Sequence, residues 1–232
     1  MATFVLIPGA GGSSREWFLL APELERRRHG VVAVDLPSGD ESAGWAEYAD
    51  AVIRAATGRT DLVLVAQSLA GFSAPLVCER IPVDLLVMLN AMIPRPGETG
   101  EAWWSNTNRK AEADAYLVSI GISPAEAADD DVLYFHDVPR EVVDAYVSGH
   151  EFVQSGTPMS QPWPLDAWPN VPTRILAGRD DRLFPASFQQ RVARERLGLD
   201  ADLIDGGHMV ALSNPKELAD RLDSYLGGAT RI

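Results

Sequence analysis

Residues 62–71 read LVLVAQSLAG, an apolar run that is followed by a serine and by a set of small residues. The run Leu62 to Val65 predicts a buried strand, and the stretch Leu69 to Arg80 predicts the helix after it. Ser68 therefore stands at a sharp turn from strand to helix, which exposes a side chain at the carboxyl end of a sheet. We consider it a candidate nucleophile, with a helix N-cap as the alternative role.

The residues around this serine meet a steric requirement of such a turn. The turn crowds the positions two before and two after the nucleophile, so those residues must be small. Glycine is usual at both places, in the pattern G-x-S-x-G, whereas this chain has Ala66 and Ala70. The alanines depart from the pattern but keep the small side chains that it demands.

Apolar runs on both sides of this stretch alternate with amphipathic segments. Buried strands are predicted at Phe4 to Ile7, Val31 to Val34, Leu62 to Val65, Leu85 to Leu89 and Arg174 to Ala177, with a weaker sixth at Ala201 to Ile204. Strands that alternate with helices imply right-handed crossovers and a mostly parallel sheet. We therefore predict an α/β fold, with a sheet of about six strands and helices on both of its faces.

One segment interrupts the alternation. Between Met92 and Asp166 there is no strong strand, but there are helical pieces such as Ala111 to Ile120 and Arg140 to Ser148, and many aromatic residues. We interpret residues 92–166 as a helical cap inserted into a core formed by residues 1–91 and 167–232. From this segment and the loop after the last strand we expect the following substrate-pocket residues: Trp103, Trp104, Tyr134, His136 and Met209.

Candidates for the base and the acid that would act with this serine lie in loops that follow later strands. His208 lies in the loop GGHM at residues 206–209, between the last predicted strand and the C-terminal helix. Asp180 and Asp181 both follow the strand that ends at Ala177. A buried acid there would orient the imidazole and stabilise its protonated form. On these grounds alone, the two aspartates compete for the role.

The first predicted strand leads into the glycine-rich loop PGAGGSS at residues 8–14. A phosphate site is the rival interpretation, but the loop lacks the Lys-Ser/Thr pair of a P-loop and the glycine spacing of a dinucleotide site. We predict instead that it directs a backbone N–H at a developing oxyanion, together with the N–H of the residue after the nucleophile. The order of glycine-rich loop, serine, aspartate and histidine, each after a strand, is typical of an α/β-hydrolase.

On these motifs the chain resembles the α/β-hydrolase superfamily over nearly its full length. The segments FVLIPGA (4–10), QSLAG (67–71) and HMVALS (208–213) most resemble the plant methylesterase and hydroxynitrile lyase group. The resemblance implies a catalytic triad and two oxyanion donors: Ser68, Asp181 and His208, and the N–H groups of Ala10 and Leu69. It favours Asp181 over Asp180 because the superfamily's acid commonly precedes a proline by four residues, here Pro185.

Two positions bear on which activity of that group is expected. Hydroxynitrile lyases of the group carry threonine where this chain has Gly9, and lysine directly after the catalytic histidine, where it has Met209. Without that ammonium, no charge stabilises a cyanide leaving group, so the resemblance favours ester hydrolysis.

We therefore expect a serine hydrolase that cleaves a small or medium carboxylic ester, or a lactone, with an apolar acyl part through an acyl-enzyme. Two alternatives stay open: a lyase or cyclase that reuses the pocket, and a non-catalytic ligand-binding receptor on this fold. No cofactor and no metal are expected, and the run Asp129-Asp130-Asp131 is interpreted as a solvated face.

Composition limits the partners. With 20 Lys and Arg against 33 Asp and Glu the net charge is −13, so nucleic acid is not expected as a partner. No leader pattern is present and no apolar stretch approaches the roughly 20 residues that span a bilayer, which predicts a cytoplasmic location without a membrane. Cys78, the single cysteine, is predicted to be a buried apolar thiol. The expected partner is a small-molecule ester, and a homodimer is left open.

Overall fold

The computed structural model describes residues 1–149 and 151–227, and a six-stranded parallel sheet with the order β2-β1-β3-β4-β5-β6 forms its centre. The strands are β1 (Thr3–Ile7), β2 (Gly30–Ala33), β3 (Leu62–Gln67), β4 (Leu85–Leu89), β5 (Thr173–Gly178) and β6 (Ala201–Ile204). All six predicted strands are present, and the predicted fold class is confirmed.

The helices lie mainly in the connections between strands. The α-helices are α1 (Leu20–Arg26), α2 (Trp45–Ala55), α3 (Ala74–Cys78), α4 (Gly100–Asn106), α5 (Arg109–Ser119), α6 (Asp130–Leu133), α7 (Arg140–Val147), α8 (Thr157–Ser160), α9 (Ala186–Leu197), α10 (Val210–Ser213) and α11 (Pro215–Gly227). Short 3-10 helices occupy Ser14–Trp17, Ser68–Gly71 and Glu126–Ala128. Within the described residues, none of the helices has both the length and the apolar character needed to cross a bilayer.

Both faces of the sheet are covered, as β3 shows. Leu64 and Ala66 belong to a core cluster that includes residues of α2, α3 and α9. Val63 and Val65 belong to a second cluster, which includes residues of α1 and α11. Because successive side chains of a strand point to opposite faces, an uninterrupted apolar run is what a doubly covered strand requires.

The predicted helix from Leu69 to Arg80 is wrong as a single element. The structure has the 3-10 helix Ser68–Gly71 and then the separate helix α3, which has Pro75 in its first turn. Proline lacks the N–H that an uninterrupted helix would use there, so it is tolerated only where a helix begins. Cys78 at the end of α3 is partly buried, and burial raises the pKa of its thiol to about 12.

Of the described residues, those between β4 and β5 form five α-helices, α4 to α8, where the sequence predicted the cap. The predicted helices at 111–120 and 140–148 correspond to α5 and α7. Glu98, at the start of this segment, forms an almost wholly buried ion pair with Arg196 of α9. The division into a core and a cap stays a prediction, and residues 150 and 228–232 of that division lie outside the described residues.

The turn after β3 is packed against the chain that leaves β4. The Met92 N–H donates to the Ser68 carbonyl at 2.9 Å. A Cβ atom on Gly71 would lie only 1.8 Å from the Met92 carbonyl oxygen. A residue without a side chain is therefore required at position 71.

We predict that Gly71→Ala lowers the free energy of unfolding by about 3 kcal/mol or more, because neither backbone segment at this contact can move away freely. Urea unfolding followed by circular dichroism measures the change. Gly156→Ala is the matched control, since a Cβ there meets nothing within 4 Å and its φ of −74° suits alanine. Equal stabilities for the two variants would contradict the account.

Candidate functional site

Ser68 adopts a backbone conformation that few serines adopt. Its φ is +52°, in the left-handed region, and it comes directly after β3. A residue other than glycine in that region is strained by roughly 1–3 kcal/mol, and such strain is concentrated at functional sites. Ala66 and Ala70 are fully buried on either side, as the small side chains predicted for this turn. The turn presents the Ser68 side chain to a cavity at the carboxyl edge of the sheet.

The structure separates the two candidate acids. The Asp181 side chain is 0% exposed, and its Oδ2 lies 2.8 Å from Nδ1 of His208. Its other oxygen, Oδ1, accepts the N–H groups of Leu183 and Phe184 at 2.9 and 2.8 Å. Asp180 is exposed. The carboxylate that can orient the imidazole is therefore that of Asp181.

His208 lies between aromatic rings at the wall of the same cavity as Ser68. The ring centroid of Phe184 is 5.3 Å from that of the imidazole, and the Tyr134 centroid is 5.7 Å away, both in edge-to-face arrangements. Because Nδ1 contacts Asp181, Nε2 is the imidazole nitrogen that can accept a proton from a group in the cavity.

Gln189, in α9, is a supporting residue that the sequence reasoning missed. Its Nε2 donates to the Phe184 carbonyl at 2.7 Å, and the Asp181 Oδ2 lies at 3.3 Å. The same nitrogen lies 3.2 Å from Oδ1 of Asn90. Gln189 therefore holds the oxygen of Asp181 that faces the imidazole.

Asn90 ties the histidine loop to the sheet and was missed as well. It comes directly after β4 with a φ of +45° and is fully buried. Its Nδ2 donates to the carbonyls of Gly207 and His208 at 3.1 and 3.0 Å. Its Oδ1 accepts the Gly178 N–H at the end of β5, at 2.6 Å. The signal available in the sequence was one polar residue at the end of an otherwise apolar strand.

The glycine-rich loop lies beside the nucleophile. A Cβ on Gly9 would lie 3.0 Å from the Ser68 Cβ and 2.2 Å from Oε1 of Gln67, so a larger residue there would have to displace the end of the Gln67 side chain. Ala10 and Leu69 both line the cavity next to Ser68. The role of their N–H groups as oxyanion donors stays a prediction.

Glu16, from the 3-10 helix Ser14–Trp17, is a buried acid behind this loop that the sequence reasoning did not single out. Its Oε2 accepts the Gly9 N–H at 3.2 Å, whereas Oε1 is buried with no hydrogen-bond partner among the described residues. The residue is 2% exposed, and burial raises the pKa of its carboxyl to about 8. The carboxyl is therefore mostly neutral at pH 7.

The cavity has a volume of about 460 Å³. Three of the five predicted pocket residues line it, namely Trp104, Tyr134 and Met209. The remaining wall is largely apolar and includes Met92, Phe135, Tyr146, Phe152, Met159, Leu183 and Phe184. This volume and lining suit a small organic molecule that is largely apolar.

Two of the predicted pocket residues are placed elsewhere. Trp103 is 0% exposed and packs edge-to-face on Phe188 of α9, with its indole N–H donating to the Ile93 carbonyl. Its neighbour Trp104 lies on another face of α4, because successive residues of a helix differ by about 100°. The Nε2 of His136 contacts the Asp180 carbonyl at 3.1 Å, and burial lowers the pKa of this imidazole. Both expectations were wrong.

A metal site does not emerge from the part of the chain that the structure describes, since no group of three or more His, Cys, Asp or Glu side chains is arranged to hold an ion there. The chemistry available at the cavity is that of a serine hydroxyl, an imidazole and its carboxylate partner. These groups are the components of nucleophilic catalysis at a carbonyl carbon.

Comparisons with known proteins find one matching family model and several similar proteins. A model of the "Alpha/beta hydrolase family" matches residues 4–221. "Alpha/beta hydrolase nvfD" of Aspergillus novofumigatus is 27% identical over 249 residues, which cover 98% of this chain and 98% of that protein. Polyneuridine aldehyde esterase of Rauvolfia serpentina is 24% identical over 247 residues, covering 93% of this chain and 92% of the esterase.

Solved structures share the fold. The crystal structure of polyneuridine aldehyde esterase has a TM-score of 0.77 at 22% identity, covering 97% of this chain and 99% of the other. A pyrethroid hydrolase from Sphingobium faniae has a TM-score of 0.77 at 21% identity, covering 100% and 99%. At this identity the likeness shows the fold alone.

The raised pKa of Glu16 makes a prediction about stability. In the unfolded chain the carboxyl ionises near its ordinary pKa of 4.5, whereas the folded protein keeps the proton up to about pH 8. The folded state therefore loses stability relative to the unfolded state as the pH rises through this interval. Glutamine at this position cannot ionise. We therefore predict that, between pH 5 and pH 8, the free energy of unfolding of Glu16→Gln rises relative to that of the wild type by on the order of a few kcal/mol.

Urea unfolding of both proteins at the two pH values measures this gain. Glu101→Gln removes an exposed carboxyl in α4 and serves as the control, with no gain expected. A difference between Glu16→Gln and wild type that does not change with pH would show that Glu16 ionises normally in the folded protein.

Proposed function

This chain belongs to the alpha/beta hydrolase family, and from that premise we propose that it is a serine esterase. In this proposal Ser68 is the nucleophile, His208 is the base and Asp181 orients the base. The observation that carries it is the 2.8 Å contact between Asp181 Oδ2 and His208 Nδ1, both buried, at the cavity that Ser68 also lines.

The proposed reaction has two steps. The Ser68 Oγ attacks the ester carbonyl carbon while its proton passes to Nε2 of His208, and the ester C–O bond then breaks as the alcohol leaves with that proton. Water attacks the acyl-enzyme carbonyl in the second step and gives a proton to His208. The bond to the Ser68 oxygen then breaks, His208 passes that proton to this oxygen, and the carboxylic acid leaves. The N–H groups of Ala10 and Leu69 would stabilise the negative charge on the carbonyl oxygen.

The size and lining of the cavity support a small or medium ester with an apolar acyl part as the substrate. A volume of about 460 Å³ accommodates a molecule of that size, and aromatic and aliphatic side chains form most of the wall. Two of the similar proteins are an esterase and a pyrethroid hydrolase, which supports ester cleavage as the reaction class. In the same proposal, the segment 92–166 acts as the cap that selects the substrate.

A lyase is the less favoured alternative for two reasons at the cavity. Position 9 holds glycine, and a threonine there would have to displace the Gln67 amide, whose Oε1 would lie 2.2 Å from the added Cβ. The residue after His208 is Met209, whose thioether offers no charge to a leaving anion. The cytoplasmic location, the independence of cofactors and the homodimer stay predictions.

We predict that Ser68→Ala lowers kcat/KM for a panel of aryl and methyl esters by about 10⁴-fold or more, because the attacking oxygen is removed. The matched control is Ser73→Ala, which removes a buried hydroxyl five residues further on whose contact is the Ala70 carbonyl at 3.3 Å. That variant should keep its activity within a few-fold. Full turnover by Ser68→Ala would rule the mechanism out, and no turnover by the folded wild type would favour a receptor.

The two neighbouring aspartates provide a second test. Asp181→Asn should lower kcat by on the order of 10⁴-fold, because an amide no longer holds the imidazole in the required tautomer. Asp180→Asn removes the same charge one residue away, at an exposed side chain, and should change kcat less than threefold. Similar losses in the two variants, measured by initial rates on one aryl ester, would contradict the assignment of Asp181.

A further inference from the structure

Glu16 is a buried carboxyl at the cavity that the proposed hydrolysis does not use. It is one of the residues that line the cavity, and its Oε2 is engaged by the Gly9 N–H. The Oε1 atom is shielded from water and has no hydrogen-bond partner among the described residues. A buried polar atom of this kind is costly to the fold, so its presence at a cavity points to a ligand group that completes it.

Among the residues that the structure describes, no protein cation fills that role at the cavity. Arg15 precedes Glu16, but its guanidinium turns to the end of α7, where it donates to the carbonyls of Ala145, Tyr146 and Ser148. Among the described residues that line the cavity there is no lysine and no arginine, whereas Asp130 supplies a second carboxyl. The cavity is therefore short of positive charge and has an excess of acid, in a chain with a net charge of −13.

The acid at this position can be ionised by a suitable ligand. Burial raises the pKa of Glu16 to about 8, so about one molecule in ten carries the charge at pH 7. A cation beside the carboxyl favours the ionised form and lowers its pKa. The cost of ionising the carboxyl at pH 7 is the roughly tenfold shift in population, and the attraction of an adjacent cation, which is stronger inside a protein than in water, acts against that cost.

Glu16 is also close to the reacting atoms. Gly9 donates its N–H to the carboxyl, and a Cβ on the same Gly9 would lie 3.0 Å from the Ser68 Cβ. One residue therefore separates the acid from the nucleophile. A group that contacts Glu16 can belong to a molecule whose ester bond is at Ser68, provided that the spacer between them is short.

We propose that Glu16 binds a positively charged amine of the substrate, so that the preferred esters carry a protonated amino group a short distance from the ester bond. The inference rests on the proposed ester hydrolysis, which it deepens by naming the substrate class. Esters that carry a carboxylate gain no such ion pair and meet the carboxylate of Asp130 at the same cavity.

The test compares two esters of the same shape at pH 7. The ester 2-(dimethylamino)ethyl butyrate has a protonated amine where 3-methylbutyl butyrate has a carbon. In the wild type we expect kcat/KM for the amine ester to exceed that for the carbon ester by at least about tenfold. Glu16→Gln, which keeps the volume and an acceptor for the Gly9 N–H, should lower that ratio by about tenfold.

Because the intrinsic reactivities of the two esters cancel when ratios are compared between proteins, the change in ratio reports Glu16 alone. Glu101→Gln, which removes an exposed carboxyl of α4, is the charge-matched control and should leave the ratio unchanged. An unchanged ratio in Glu16→Gln would overturn the inference. Equal rates for the two esters in the wild type would also overturn it, and that comparison does not require the variant to fold.

Binding to Ser68→Ala separates this inference from the proposed hydrolysis. Calorimetry should give a Kd for the amine ester at least about tenfold below that for the carbon ester, and Glu16→Gln in the same background should remove the difference. Equal Kd values in Ser68→Ala would overturn the inference even if the wild type hydrolyses both esters. Tighter binding of the amine ester by a protein without turnover would support amine recognition and contradict the esterase.

Discussion

The turn after β3 holds Ser68 at a φ of +52°, and the packing of the residues around the turn keeps it in this strained conformation. Its strain, roughly 1–3 kcal/mol, persists only where the surroundings leave no relaxed alternative. Those surroundings are the wholly buried strand β3, the small residues Ala66 and Ala70, and the contact of Gly71 with the Met92 carbonyl. A side chain is thus held at the floor of a cavity at the edge of the sheet.

Parallel strands bring the other groups to the same edge. The chain leaves β1 in the glycine-rich loop, β5 in the loop that carries Asp181, and β6 in the loop that carries His208. Hydrogen bonds of the side-chain amides of Asn90 and Gln189 link these loops to one another and to the sheet. Each of these amides joins segments that are far apart in the sequence, so the geometry at the imidazole depends on the whole sheet.

Much of this arrangement could be predicted from the sequence, because its signals are local. Uninterrupted apolar runs predicted the six strands, and small residues around Ser68 predicted the turn. Contacts that depend on folding could not be read in this way. The apolar spacing predicted one helix from Leu69 to Arg80, whereas Pro75 lies in the first turn of a separate helix. Hydropathy could not show which of the adjacent Trp103 and Trp104 faces the cavity. Glu16 could not be singled out from the sequence, because its burial is visible in the structure alone.

We propose above all that the strained residue Ser68 is a nucleophile that His208 activates. The most direct measurement is labelling of the wild-type protein with a fluorophosphonate probe, followed by mass spectrometry of the intact chain and its peptides. We expect one adduct per chain, on the peptide that contains Ser68, and strongly slowed labelling in His208→Ala. An unlabelled but folded wild-type protein, or an adduct on a different serine, would contradict this proposal.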